Sequence, residues 1–146
     1  MKIKLITKVV PSEVKLLAKW RRKVQPLWHE TFKVTIKGTS KWLQEVIDNP
    51  DKSLFFVEKD GKLIGHVGFN IMDGDFYIDN IIRGEGKSDG FMSKAVKKLI
   101  SLNYCKKIYL LVYPDNVHAI EFYKKIGFYP YHKKDKYLLM KYENNC

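Results

Sequence analysis

Apolar positions recur along the chain in two rhythms, and the changes of rhythm divide it into short elements. Ile3 and Leu5 alternate with lysines, which predicts a first strand over Ile3–Val9. From Pro11-Ser12-Glu13 the spacing lengthens to that of a helix, with Val14, Leu17 and Ala18 marking its turns. Proline suits a first helical turn, because the N–H it lacks would be unpaired there anyway. Gln25 to Lys37 follows no period and is rich in aromatic residues. A second helix is expected from a cap at Thr39 or Ser40, with Trp42, Leu43, Val46 and Ile47 on one face. It should end at Asn49-Pro50, since a residue before proline disfavours the helical conformation.

Strands follow. Ser53–Glu58, Leu63–Met72 and Phe76–Ile82 are separated by Lys59-Asp60-Gly61-Lys62 and Asp73-Gly74-Asp75. An Asp-Gly pair readily takes the left-handed conformations of a tight hairpin turn, so a three-stranded antiparallel meander is predicted. Arg83 to Gly90 holds three glycines and no large apolar side chain, which predicts a loop. Met92, Ala95, Val96, Leu99 and Ile100 then return to helical spacing, with Lys94, Lys97, Lys98 and Ser101 on the other face. Lys107–Tyr113 reads as a buried strand, Pro114-Asp115-Asn116 breaks it, and Val117–Lys125 is a helix closed by Gly127. Lys136–Tyr142 is the last strand. The order β-α-α-β-β-β-α-β-α-β demands one parallel crossover inside an otherwise antiparallel sheet. The expected fold is a mixed α/β (α+β) sandwich with helices on both faces, formed as a single domain over residues 1–146.

Composition narrows the class. A chain of 146 residues with 45% hydrophobic and 29% charged residues can close one proper core, which excludes a disordered protein. No apolar run approaches the ~20 residues of a membrane span. Met1-Lys2-Ile3-Lys4-Leu5 carries charges within its apolar pattern and no cleavage signature, so a strand is expected there and the cytoplasm is the expected compartment. The two cysteines, Cys105 and Cys146, stand in no CxxC and beside no histidine cluster, so neither zinc nor a disulfide framework is expected. The net charge of +11 favours an anionic partner such as nucleic acid, anionic lipid or a phosphorylated small molecule. A lysine-rich solvated surface would give the same number.

The loop before the third helix carries the first chemical signal. A helix N-terminus offers free N–H groups and a partial positive charge, and glycine lets the backbone approach a phosphate closely. Gly84, Gly86 and Gly90 supply that capacity, and Arg83 and Lys87 add cations. The loop is not GxxxxGK[ST], since neither Gly84 nor Gly86 is followed by GK[ST] at the right offset, and not GxGxxG, because Asp89 stands where the third glycine would be. A plain turn could have the same composition.

Lys87-Ser88-Asp89-Gly90-Phe91-Met92-Ser93-Lys94-Ala95-Val96 resembles motif A of the GNAT acetyltransferases, (Arg/Gln)-x-x-Gly-x-(Gly/Ala) leading into an amphipathic helix. Lys87, Gly90 and Met92 take its three fixed positions. Lysine for Arg/Gln, methionine for Gly/Ala, and the negative Asp89 are departures from it. Asn116-Val117-His118-Ala119-Ile120-Glu121-Phe122-Tyr123-Lys124-Lys125-Ile126-Gly127-Phe128 resembles a second GNAT pattern, Asn-x-x-Ala-(Ile)-x-x-Tyr-x-x-x-Gly-Phe. Taken singly, Asn116 serves equally as a helix cap, Ala119 as a packing residue, Tyr123 as core and Gly127 as a helix stop. Both motifs in the family's order carry the resemblance, which covers Leu54 to Tyr142.

The resemblance implies a GNAT-like sheet in which the strands carrying Asp79–Ile82 and Ile108–Tyr113 splay apart. It implies acetyl-CoA as co-substrate, no metal, and direct attack by a primary amine. Contacts to acetyl-CoA would fall on Ile81, Ile82, Arg83, Lys87, Gly90, Phe91, Met92, Ser93, Asn116 and Tyr123, with Ile81 and Ile82 offering backbone groups and Tyr123 acting as general acid. Asp79 lies on the fourth strand, where the family often puts a carboxylate, and alternation gives it a face with Tyr77 and Ile81. His66 on the neighbouring strand is the other candidate base, with the better intrinsic pKa, although a lone strand histidine is more often structural. Deprotonation through water would need neither.

Acceptor recognition is expected in the first third of the chain, where Trp28, His29, Glu30, Phe32 and Trp42 could line a pocket or fill core. A charge of +11 repels polycations and favours a small anionic amine such as a nucleotide-linked amino sugar. The alternatives are an N-acetyltransferase of protein N-termini or lysines, and a non-catalytic module binding CoA or nucleic acid. The lack of a zinc finger, an RNP-like aromatic motif or a basic arm argues against nucleic acid. Homodimer formation is left open.

Overall fold

The computed structural model describes residues 1–27, 32–87, 89–103 and 107–143. The elements run β1 (Lys2–Leu5), α1 (Pro11–Val24), a 3-10 turn (Gln25–Leu27), α2 (Ile36–Asp48), β2 (Lys52–Lys59), β3 (Lys62–Met72), β4 (Asp75–Arg83), α3 (Phe91–Leu102), β5 (Ile108–Val112), α4 (Val117–Ile126), β6 (Phe128–Lys134) and β7 (Tyr137–Tyr142). The strands form one sheet in the order β1-β2-β3-β4-β5-β7-β6, antiparallel except for β4 and β5. The mixed sheet with helices on both faces is therefore as expected.

Three elements differ from the sequence reading. β1 ends at Leu5 rather than Val9. α2 begins at Ile36, because Thr35 rather than Thr39 or Ser40 is the cap and its Oγ1 accepts from the Gly38 N–H at 2.9 Å. Thr39 is instead buried. β6 was not expected, since Pro130 and three basic residues hide its pattern. It lies at the sheet edge beside β7, where proline does not interrupt an inner ladder.

Each sheet face carries its own core. Leu17, Trp20, Leu43 and Val46 of α1 and α2 pack on Leu54, Phe56 and Ile82. Ala95, Val96 and Leu99 of α3 pack on Val67, Ile78, Ile108, Leu110 and Met140 on the opposite face, with Ile126 of α4 in the same cluster. Among the described residues, β5, β6 and β7 contribute nothing to the first cluster.

A bulge in β4 decides which residues share a face. His66 pairs with Ile82 and Gly68 with Asp79, so two residues of β4, Asn80 and Ile81, stand opposite the single Val67. Asn80 adopts a left-handed backbone, φ 52°. The extra residue inverts the alternation. Ile78 and Ile81 pack on the α3 side, and Ile82 joins the α1/α2 core. Asp79 thus keeps Tyr77 on its face but has Ile82 as its companion beyond the bulge, not Ile81.

β4 and β5 pair only at Phe76–Ile108 and Tyr77–Tyr109. Beyond Tyr77 the two strands part, and the gap opens at the bulge.

Candidate active site

Two titratable groups flank the bulge. Asp79 is part-buried, and its Oδ1 lies against Gly68 with no hydrogen-bond partner. A Cβ at residue 68 would sit 2.6 Å from the Ser53 carbonyl and 3.1 Å from that oxygen, so the backbone of β2 requires glycine here and the carboxyl packs closely on it. Burial raises the Asp79 pKa from 3.8 to about 6, against the opposing pull of Lys52 and of a hydrogen bond from Asn80. His66 is fully buried. Its Nδ1 lies 2.5 Å from the Asn80 carbonyl oxygen, which makes Nδ1 the protonated, donating nitrogen. Burial, reinforced by the charge of Arg21, lowers its pKa from 6.5 to about 4, so the ring is neutral at physiological pH.

The start of α3 is built differently from a simple glycine cradle. Gly84 is buried beneath Trp20, whose ring atoms would lie 2.1 Å from a Cβ there. Gly84 therefore serves the packing of α1 on the loop rather than approach to a phosphate. The Gly84 and Glu85 N–H groups both donate to the Ile64 carbonyl, and Lys19 pairs with Glu85 at 3.0 Å. Gly90 caps α3 with φ 84°. The Asp89 carboxylate then occupies the helix start. Its Oδ1 accepts from the Phe91 N–H at 3.2 Å and its Oδ2 meets Lys59 Nζ at 2.6 Å. That hydrogen-bonded ammonium holds the Asp89 carboxyl below its ordinary pKa. Lys59 also lies 4.2 Å from the centre of the Phe91 ring. Met92, in the place of a small residue, turns its thioether into the core above Gly65. Arg83 and Lys87 are exposed, and Ser93 is half-buried.

α4 brings in the second motif. The Asn116 Oδ1 accepts from the Ala119 N–H at 3.2 Å, so this side chain caps the helix. Tyr123 packs edge-on against Phe128, and burial pushes its phenol up to about 12. It belongs to the α3/α4 face, opposite Asp79, with Ile81 also on its side. Of the acceptor candidates, Trp28, His29 and Glu30 lie outside the described residues. Phe32 and Trp42 come together at a cavity of about 250 Å³ lined also by Arg21, Val34 and Thr39. The Arg21 guanidinium stands 4.2 Å over the Trp42 ring. Among the described residues no group of three or more His, Cys, Asp or Glu could hold a metal, and no helix is long and apolar enough to cross a membrane.

Trp20, Lys59 and Asn80 were missed by sequence reading. Asn80 alone carried a hint, as asparagine tolerates the left-handed region better than most residues.

A family model described as the acetyltransferase (GNAT) family matches residues 17–128. The spermine/spermidine N(1)-acetyltransferase of Bacillus subtilis (strain 168) is 36% identical over 53 residues, a stretch that spans 36% of this chain and only 35% of that protein. The structure of the Campylobacter jejuni N-acetyltransferase PseH in complex with acetyl coenzyme A superposes with a TM-score of 0.75 at 19% identity, covering 99% of both chains. An acetyltransferase from Thermus thermophilus gives 0.80 at 17% identity, covering 96% of this chain and 94% of that one. At such identities the structures speak to the fold, and the family match adds the sequence. With the parted β4–β5 pair and the glycine-capped α3 in place, this chain belongs to the GNAT family of acetyltransferases.

Proposed function

We propose that the protein transfers an acetyl group from acetyl-CoA to the primary amine of a small anionic acceptor, a nucleotide-linked amino sugar being the best fit. The observation that carries the reading is the gap between β4 and β5, with a carboxyl on one sheet face and a phenol on the other. Acetyl-CoA supplies the acetyl group already activated as a thioester. Asp79 accepts a proton from the attacking nitrogen as the new C–N bond forms. Tyr123 gives its phenolic proton to the sulfur as the C–S bond breaks, and recovers it from solvent. A phenol with a pKa near 12 is fully protonated at neutral pH, as an acid must be. His66 has its Nδ1 committed to the bulge and its ring fully enclosed, so we assign it to holding β4 in shape.

Tyr123→Phe is expected to lower turnover at least ~10-fold with little change in acetyl-CoA binding. Stopped-assay kinetics beside calorimetry would check both halves, and unchanged turnover would remove Tyr123 from the mechanism.

Asp89 gives a sharper expectation about the donor site. Its carboxylate already sits where α3 would favour a phosphate, so each phosphate must compete with it. Asp89→Asn should tighten CoA binding about 3–10-fold at low salt, an effect that shrinks as salt rises. Acetyl-pantetheine, which lacks the phosphates, should bind both forms equally. Equal CoA affinity in the variant would show that the phosphates pass elsewhere.

The charge of +11 supports an anionic acceptor over the polyamine named for the Bacillus relatives. The deciding experiment is acetyl-CoA binding followed by a panel of amines scored by CoA release. Turnover of peptides or spermine with inert amino-sugar nucleotides would sink the acceptor assignment and leave the acetyl transfer standing.

A further inference from the structure

The face of β5, β7 and β6 that no described helix covers carries a continuous aromatic floor. One register row across four strands reads Tyr77, Tyr109, Lys141 and Tyr129. The Tyr77 and Tyr109 rings stack at 5.4 Å, and Tyr131 closes on Tyr109 at 6.2 Å. Tyr131 is the extra residue of a bulge in β6, which adds a ring to the row. Tyr109 is nearly buried by its neighbours, whereas Tyr131 is 49% exposed and offers its ring to a ligand. The floor adjoins the proposed site of chemistry, since Tyr77 precedes Asp79 by two residues on the same strand face.

Its charge selects the occupant. Lys141 Nζ lies 5.2 Å from the Tyr131 ring centre, and Lys134 Nζ lies 5.3 Å from that of Tyr77. Lys134, at the far end of β6, thus brings its ammonium to a tyrosine of β4. Residues 129–143 hold four lysines, Lys133, Lys134, Lys136 and Lys141, against Asp135 and Glu143. Glu143 is engaged with the Tyr129 hydroxyl. The cation positions over two of the rings are thus already filled by the chain itself. A polyamine would have to displace them against like charge, and a second copy of this face would bring lysine against lysine. A flat ring bearing phosphates meets neither obstacle: the ring stacks on tyrosine and the phosphates meet ammonium groups.

We infer that the Tyr77–Tyr109–Tyr131 floor with Lys134 and Lys141 is the subsite for the nucleoside diphosphate portion of the acceptor, placing the amine at Asp79. This rests on the proposed acetyl transfer to a nucleotide-linked amine. It adds where the nucleotide lies and which side chains select it.

The test titrates uridine diphosphate, uridine and pyrophosphate into protein already saturated with CoA, so that the donor site is closed to the probes. CoA loading is measured first. Its failure would count against the acetyltransferase reading itself, separately from the subsite. With CoA bound, uridine diphosphate should bind more tightly than either fragment. Tyr131→Ala should weaken it about tenfold or more, with Tyr131→Phe close to wild type. Lys134→Ala and Lys141→Ala should each weaken the diphosphate several-fold and leave uridine unaffected. Tyr131 is exposed, so its variants should fold, and matching thermal melts would confirm it. No diphosphate binding to the CoA-loaded protein overturns the subsite, as does binding indifferent to Tyr131→Ala. Spermine binding that depends on Tyr131, or a dimer that Tyr131→Ala dissociates, would overturn it equally.

Discussion

Replacing Asp79 by asparagine is expected to lower kcat/KM about 100-fold or more at pH 8 while making the protein more stable there. Both effects have one origin. The carboxyl is held against Gly68 with an unpartnered oxygen, and burial raises its pKa from 3.8 to about 6. Wild-type kcat/KM should therefore rise with pH along a limb centred near 6, as the base form appears. In the variant that limb should vanish. Stability runs the other way. The unfolded carboxyl ionises near 3.8 and the folded one near 6, so the unfolded state releases its proton first and stability falls as pH climbs through that window. The cost above pH 6 is about 3 kcal/mol. Asparagine removes it, and the melting temperature should rise by several degrees at pH 8 and hardly at all at pH 4. A variant with unchanged kinetics would hand deprotonation to water. One that is less stable at pH 8 would mean the carboxylate is better satisfied than its burial implies.

That oxygen could not have been located from the sequence, although much around it could. The Asp60-Gly61 and Asp73-Gly74 turns were legible because left-handed pairs of this kind have few sequence solutions, and both pairs have positive φ. α3 was legible from one apolar stripe, Met92 to Ile100, all of it buried. The start of α2 was not, because Lys37 and Gly38 conceal a first turn capped from Thr35. Tyr77, Asp79 and Ile81 alternate cleanly in the sequence, so nothing local announces the bulge that sends Ile81 to the other face. The remaining site contacts are long-range. Lys59 meets Asp89 across 30 positions, and Trp20 covers a glycine 64 residues away. Motif spacing located the helix starts, while the groups that modify them came from elements the motifs do not include.

His66 ties these observations together, and its removal should be the second large effect. The Asn80 carbonyl accepts from its Nδ1, and Asn80 carries the left-handed backbone on which the bulge depends. His66→Leu leaves that carbonyl unpaired, at a cost of about 1–3 kcal/mol, and removes the clamp on a conformation an L-residue already disfavours by roughly 1–2 kcal/mol. The bulge should relax toward regular pairing and take the backbone of Ile81 and Ile82 out of place. We expect kcat/KM for acetyl-CoA to fall about 100-fold. His66→Asn, whose amide can donate from nearly the Nδ1 position, should recover most of it. Acid titration separates this clamp from simple packing. The folded imidazole titrates near 4 and the unfolded one near 6.5, so the unfolded state gains its proton first and stability is lost as pH falls through that window. Asp79 acts with the opposite sign over nearly the same range, gaining stability as pH falls from about 6 to about 4. The two contributions, each about 3 kcal/mol, largely cancel in the wild-type protein. Single variants should expose them. Asp79→Asn should lose stability steeply between about pH 6.5 and pH 4, and His66→Leu should gain it there. If both variants keep the wild-type pH profile, neither group is buried in the state assigned to it, and the clamp on the bulge fails with them.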